Sequence, residues 1–303
     1  MCRDCGCGLP GKEGAAVSAS HQEHEHAHEG HTHAHTHDPL DHHHHREHGA
    51  DHEHGHSHEH GHDHPHTHDD QAASGPAVRR TVELRQAILG QNERLAERNR
   101  GFFRAKGVLV INVVSSPGSG KTTLLKETLK GCRGRLRSAV VVGDLATDND
   151  AERLRETGAP VVQVTTGTVC HLDAEMVGKA AGKLDFDGLD LLIVENVGNL
   201  VCPASYDLGE DLRVVLLSVT EGEDKPLKYP PIFQGADVVV VSKIDIAEPC
   251  GYNRDTTLAN IRRVAPNARI FELSAKTGQG MAPWIEYLAT CQKQARGRSL
   301  FTS

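Results

Sequence analysis

The nine residues "SSPGSGKTT", Ser115 to Thr123, follow the apolar run "VLVINVV" (108–114) and lead into a stretch of helical character that begins at Lys121. A glycine-bearing turn between a buried strand and a helix start aims backbone amides and a helix N-terminus at one point, the arrangement that cradles phosphate. The strict pattern is G-x-x-x-x-G-K-[ST], and Ser115 stands where its first glycine belongs. The working parts are otherwise present. Gly118, Ser119 and Gly120 let the backbone close on phosphate, Lys121 reaches its oxygens, Thr122 can supply a hydroxyl to magnesium, and Thr123 follows it at the helix start. Further apolar runs come later in the chain: "SAVVVGD" (138–144), "VVQVTT" (161–166), "LDLLIVEN" (189–196), "LRVVLLSVT" (212–220), "ADVVVVSKID" (236–245) and "ARIFELSA" (268–275). Helical patterns lie near 150–157, 170–184 and 255–264, and a last one starts at about Met281. Continuous Val/Ile/Leu runs mark strands buried on both faces. The expected fold is therefore α/β, a P-loop NTPase whose mostly parallel sheet is covered by helices.

The segment in front is of a different kind. Of 23 histidines, 22 fall between His21 and His68, and residues 1–80 hold 5 Lys/Arg against 14 Asp/Glu. Residues 1–75 lack the apolar side chains to offset the entropy of ordering, so they are expected to be a disordered Cys/His-rich tail. Residues 76–303 form the expected nucleotide domain. It opens with an amphipathic helix over 78–100, where Leu84, Ile88 and Leu95 recur at helical spacing and should pack on the sheet domain after it. That remainder is nearly neutral, which argues against nucleic acid as a partner. No apolar run reaches the ~18 residues of a membrane span, and the N-terminus lacks the apolar core of a secretory signal. The chain is thus expected in the cytoplasm, where its eight cysteines serve as thiols and not as a disulfide framework.

Base identity and hydrolysis have their own candidates. "SKID" ends a buried strand: Asp245 can accept the N1 and N2 hydrogens of guanine, and the stem of Lys243 can cover the ring. The usual motif is N-K-x-D, and Ser242 replaces its Asn. "SAK", Ser274, Ala275 and Lys276, follows the last strand as a second base-contacting loop. Asp144 and Glu195 each close a strand, where a carboxylate holds magnesium or orients an attacking water; Asp148 in the next loop is a further candidate or a helix cap.

Two clusters point to metal. Cys2, Cys5 and Cys7 sit beside the terminal amine, a soft set suited to Ni(II) or Cu(II) more than to zinc. "TVCHLD" places Cys170 next to His171 at an expected helix start, and Cys202 in "NLVCP" lies shortly after Glu195. A buried thiol beside a surface imidazole explains this second cluster equally well. Cys132, Cys250 and Cys291 are assigned no function.

In their order along the chain, Cys-x-x-Cys-Gly-Cys, the histidine tract, "VSSPGSGKTTLL", "GTVCHLDA", "VENVGNLVCP", "KPLKYP" and "SKID" resemble the hydrogenase nickel-incorporation GTPases, the HypB family, from Met1 to about Leu288. The resemblance implies a SIMIBI-class P-loop GTPase that uses GTP and Mg2+, hydrolyses GTP to GDP and phosphate, and forms a nucleotide-dependent homodimer. It also implies delivery of Ni2+ to the [NiFe]-hydrogenase large subunit alongside a HypA-type metallochaperone. Cys2, Cys5 and Cys7 would be a tight nickel site, the histidine tract a nickel reserve, and Cys170, His171 and Cys202 a nucleotide-sensitive Ni2+ or Zn2+ site at the dimer interface. The competing expectations are a nickel store whose domain only senses GTP, and a nickel GTPase serving urease. The urease relative follows its key Cys-Pro with His, whereas Ala204 stands here.

Overall fold

The computed structural model describes residues 24–28, 31–35, 76–145 and 148–299. Cys2, Cys5, Cys7 and most of the histidine tract lie outside the described residues, as does the expected disorder of the tail. Two tail segments are described: β1 (His24–His28) and β2 (His31–His35) pair antiparallel, with His24, His26 and His28 opposite His35, His33 and His31. They are described apart from the body of the chain, which the structure describes from Pro76.

The body runs α1 (Pro76–Ala105), β3 (Leu109–Ser115), α2 (Lys121–Cys132), β4 (Ser138–Asp144), α3 (Asn149–Arg155), β5 (Val161–Thr165), α4 (Ala174–Ala181) and β6 (Leu191–Glu195). It continues with β7 (Leu212–Ser218), α5 (Lys225–Lys228), α6 (Pro230–Gln234), β8 (Val238–Ser242), α7 (Arg254–Val264), β9 (Arg269–Leu273) and α8 (Met281–Ser299). Seven strands make one sheet in the order β5-β4-β6-β3-β7-β8-β9, and every pairing is parallel. Val113 of β3 lies opposite Glu195 of β6, which in turn lies opposite Val142 of β4. The strand ends at Ser115, Asp144 and Glu195 therefore come out side by side on one edge of the sheet, where α/β folds bind ligands.

The central strands are buried on both faces, the edge strands β5 and β9 only in part, and the two-residue period sorts their side chains. Ile111, Val113, Val142 and Ile193 pack with Leu124, Leu125, Leu154, Trp284 and Leu288 from α2, α3 and α8. Val110, Val141, Leu192 and Val194 face Phe103 and Val177 of α1 and α4, while Val215, Leu217, Val239 and Val241 face Ile232, Phe233 and Ile261 of α6 and α7. Trp284 donates its indole N–H to Thr128 Oγ1 at 2.9 Å, so the largest buried side chain keeps its hydrogen bond. Among the described residues no helix is long and apolar enough to cross a membrane.

The first helix differs from its expected packing. It extends at both ends of 78–100, and Leu84 (62% exposed) and Ile88 (37%) face outward, while Leu95 is half-buried. The face that docks is Asn92, Ala96, Asn99 and Phe103, all buried at the spacing of successive helix turns. Two of the four are polar because they dock on backbone. Asn92 donates to Asp207 O at 2.8 Å and accepts from Ala174 N at 2.9 Å, and Asn99 donates to Ala174 O at 2.7 Å and Leu208 O at 3.2 Å. Apolar periodicity cannot find such a face.

Asn99→Ala leaves two buried carbonyls without this donor, an expected cost of about 1–3 kcal/mol and a Tm lower by roughly 2–12 °C. Leu84→Ala, on the exposed face, should stay within about 0.5 kcal/mol of the parent. Thermal unfolding of the two variants side by side checks the docking face; equal losses would contradict it.

Candidate functional site

The loop between β3 and α2 has the conformation that its glycines permit. Gly118 and Gly120 have φ of 73° and 98°, values that side chains with a Cβ rarely adopt, so the turn can wrap a ligand with its amides inward. Ser115, in place of the usual glycine, is fully buried and sits within the loop's polar interior. Its hydroxyl accepts from Ser119 Oγ at 2.5 Å and from Lys121 Nζ at 3.2 Å, and donates to Ser116 O at 2.7 Å. The departure from the strict pattern thus supplies a resting partner for the lysine. Burial pushes the Lys121 ammonium below its ordinary pKa, against the pull of Glu195, Asp150, Glu221 and Asp144.

Glu195 ends β6 and is 2% exposed. Thr122 Oγ1 donates to its Oε1 at 2.8 Å, and its Oε2 is buried with no hydrogen-bond partner. Burial pushes the carboxyl up to about 7, opposed by Lys121 and the Thr122 hydroxyl. A buried carboxylate oxygen without a partner beside a threonine hydroxyl is a donor set that fits a hard divalent cation such as Mg2+. Asp144, at the end of β4, accepts from Leu145 N at 2.5 Å. Asp148 is exposed, makes no side-chain cap, and pairs with Arg155 at 3.7 Å. Asp150, in the first turn of α3, acts on Lys121 and Glu195 alongside Asp144, and sequence reasoning missed it.

On the far side of the loop a cavity of about 320 Å³ is lined by Ser119, Gly120 and Thr123 together with Lys243, Asp245, Ser274, Ala275 and Lys276. The five residues expected to contact the base, Lys243, Asp245, Ser274, Ala275 and Lys276, all lie in this wall, and the other three come from the phosphate loop and the helix start after it. Ser242, which replaces Asn, is buried and donates from Oγ to Ser119 O at 2.8 Å. Lys243, at a left-handed φ of 61°, sends its ammonium to Gly118 O at 2.7 Å. The two side chains tether the start of the "SKID" turn to the phosphate loop.

Cys170, His171 and Cys202 do converge. One ligand atom from each lies within 4.8 Å of the others, although 31 positions separate Cys202 from His171. The expected helix start is displaced: α4 begins at Ala174, capped by Asp173 accepting from Met176 N, so Cys170 and His171 ride on the loop before it. His171 is 3% exposed, not a surface imidazole, and stacks on Tyr206 with ring centroids 3.8 Å apart. Cys202 opens a short 3-10 turn, Cys202–Ser205, and is buried. With His171 and Tyr206 it borders a cavity of about 400 Å³. Two thiols and an imidazole are ligands for a borderline transition metal. Of the remaining thiols, Cys132 is buried, Cys291 half-buried and Cys250 exposed, and none joins this cluster.

The two sites abut. Residue 196 follows Glu195 directly, and Asn196 Oδ1 accepts from Leu172 N, the amide next to His171, at 3.1 Å. Asn199 Nδ2 reaches Cys170 O at 3.5 Å. Between these two asparagines, Gly198 lies against the phosphate loop so closely that a Cβ there would be 3.2 Å from Pro117 Cγ.

The chain matches a model of the CobW/HypB/UreG nucleotide-binding domain over residues 109–272. The hydrogenase maturation factor HypB of Escherichia coli (strain K12) is 50% identical over 218 residues, covering 72% of this chain and 75% of that protein. The crystal structure of HypB from Helicobacter pylori in complex with nickel aligns with a TM-score of 0.65 at 40% identity, over 67% of this chain and 96% of that one. HypB from Archaeoglobus fulgidus aligns with a TM-score of 0.63, also at 40% identity, over 67% and 99%. A phosphate loop joined through one strand end to a Cys-His-Cys cluster is thus found in a chain that belongs to the CobW/HypB/UreG family, among its HypB hydrogenase maturation factors.

Proposed function

We propose that the protein is a GTP-hydrolysing nickel metallochaperone for [NiFe]-hydrogenase maturation, with Ni2+ as its cargo. The observation that carries this reading is the Cys170, His171 and Cys202 cluster held one residue beyond the strand end that Thr122 contacts. A nickel store with a passive GTP sensor would have no use for ligands built onto that strand end. The urease reading keeps only the shared family, since Ala204 follows Cys202 and Pro203. The recipient is then the hydrogenase large subunit, with a HypA-type protein as the nickel-exchange partner and the cytoplasm as the place of action. The working form is a GTP-dependent homodimer, in which Zn2+ competes with Ni2+ at the three-ligand cluster.

In this reading Gly118, Ser119 and Gly120 bind the phosphates through backbone amides. Lys121, released from Ser115, neutralises the charge that develops on the transferred group, where positioning and electrostatics carry most of the catalysis. Thr122 and Glu195 hold Mg2+, with Asp144 nearby; when bound, the ion adds positive charge at the phosphate oxygens. Guanine enters the cavity beneath Lys243, and Asp245 accepts its N1 and N2 hydrogens, while Ser274, Ala275 and Lys276 close the wall. Burial of Glu195 and partial burial of Lys121 limit the water that would weaken these interactions. Cys2, Cys5 and Cys7 capture nickel tightly, and the histidine tract supplies many weak, exchangeable sites.

Two substitutions separate the halves. Lys121→Ala should lower GTP turnover on the order of 100-fold or more while leaving nickel stoichiometry unchanged, as measured by phosphate release and by bound metal per chain. Cys202→Ala should weaken nickel at the buried cluster by at least the ~10–100-fold that loss of a supporting partner costs, with GDP affinity unchanged in the same preparation. Rapid hydrolysis by Lys121→Ala would place the catalytic site elsewhere.

A further inference from the structure

The body of the protein holds a buried polar chain that neither hydrolysis nor metal ligation uses. It starts at Asn196 (1% exposed), whose Nδ2 donates to Asn112 Oδ1 at 3.2 Å. Asn112 lies fully buried in the apolar centre of β3, and its Nδ2 donates to Glu210 Oε1 at 3.2 Å. The same oxygen accepts from Arg213 Nε at 3.0 Å and from a terminal guanidinium nitrogen at 2.8 Å. Arg213 then donates to Tyr206 O at 3.0 Å and Ala204 O at 3.5 Å, both in or next to the turn that carries Cys202. Burial opposes the charge on Glu210, but Arg213 and its hydrogen bonds hold the carboxyl below its ordinary pKa.

The chain has two arms, and both end at His171. One runs from Asn196 Oδ1 to the Leu172 amide, the peptide after His171. The other runs through Asn112, Glu210 and Arg213 to the backbone of Tyr206, whose ring covers the His171 imidazole. Asn196 also receives Val197 N at 2.9 Å and donates its backbone amide to Val113 O at 3.0 Å. Asn196 directly follows Glu195, and its amide bond to Val113 holds it to β3 beside the end of β6 that presents Glu195 to Thr122. A polar chain placed inside an apolar sheet is costly unless every member is paired, and a paired one admits few alternative arrangements. Displacement of the β6 end is therefore passed to both flanks of the imidazole together.

We propose that Asn112, Glu210 and Arg213 are positioning residues that, with Asn196, make the geometry of the His171 and Cys202 ligands follow the nucleotide state sensed at Glu195. This rests on the metallochaperone reading. The residues touch neither nucleotide nor metal, so their loss should change the coupling between the sites while each site still binds its own ligand.

The test uses the full chain with Cys2, Cys5 and Cys7 replaced by Ser. Thiolate-to-nickel absorption then reports on the buried cluster, because the histidine tract has no thiolates. Ni2+ is titrated with GDP and with a non-hydrolysable GTP analogue, and the ratio of the two nickel affinities is taken. The parent should give a ratio within the ~5–150-fold range of coupled sites. Asn112→Leu should bring the ratio to within about twofold of one, with GDP affinity unchanged. Arg213→Lys keeps the charge beside Glu210 but lacks the fork that spans two carbonyls; it should lower the ratio and abolish the nucleotide-dependent change in the absorption band. Should Asn112→Leu fail to fold, Arg213→Lys decides alone. Parental ratios in the variants that fold would overturn the relay while leaving the chaperone reading intact. A ratio of one in the parent would overturn the coupling reading, and the relay with it.

Discussion

One hydrogen bond organises the functional edge of this protein: Thr122 Oγ1 to Glu195 Oε1 at 2.8 Å. It joins the first turn of α2, which carries the phosphate loop, to the end of β6, which leads into the loop of Asn196, Gly198 and Asn199. The parallel order β4-β6-β3 puts these strand ends side by side. Glu195 is almost completely buried, and its second oxygen has no hydrogen-bond partner, so its charge is compensated only by Lys121 nearby and by whatever cation arrives. A carboxylate in that condition responds strongly to a nucleotide and its magnesium, because burial makes each added charge count for more than it would in water.

From that strand end the path to the metal ligands is short and polar. Asn196 reads the next peptide on one side and β3 on the other, and the loop packs onto Pro117 at Gly198, where the absence of a side chain permits contact. The Cys-His-Cys cluster is thus assembled on loops that the nucleotide edge already holds. Its side chains come from two segments, before α4 and after β6, so a relative shift of about one ångström between them would exceed the few tenths of an ångström that a metal bound there would tolerate.

Much of this was legible in the residues. Apolar runs located all seven parallel strands; the central ones are buried on both faces and leave no polar alternation to misread, and "SAVVVGD" matches its strand end to end. The phosphate loop and the base-side residues stood out because glycine, lysine and aspartate are needed there at fixed spacing. The position of Cys202 just past the Glu195 strand end suggested that it meets Cys170 and His171, but a buried thiol beside a surface imidazole stayed open until resemblance favoured the cluster. Periodicity misplaced the docking face of α1, because Asn92 and Asn99 grip backbone carbonyls while Leu84 and Ile88 stay outside. Asp150 was passed over because a carboxylate in the first turn of a helix reads as a partner of the helix dipole. Asn112, the lone polar residue in "VLVINVV", was the one available sign of the buried chain behind the metal cluster.

Thermodynamic linkage gives the most direct test that nucleotide and nickel share one equilibrium in this chain. The affinity for a non-hydrolysable GTP analogue is measured with and without saturating Ni2+ in the chain whose Cys2, Cys5 and Cys7 are Ser, and again after Cys202→Ala to subtract any contribution of the histidine tract. Reciprocity requires that nickel change the analogue's affinity by the same factor by which the analogue changes nickel's. The expected result is equal factors, well above one, that vanish together in Cys202→Ala; an analogue affinity indifferent to nickel would show that the two sites are neighbours without being coupled.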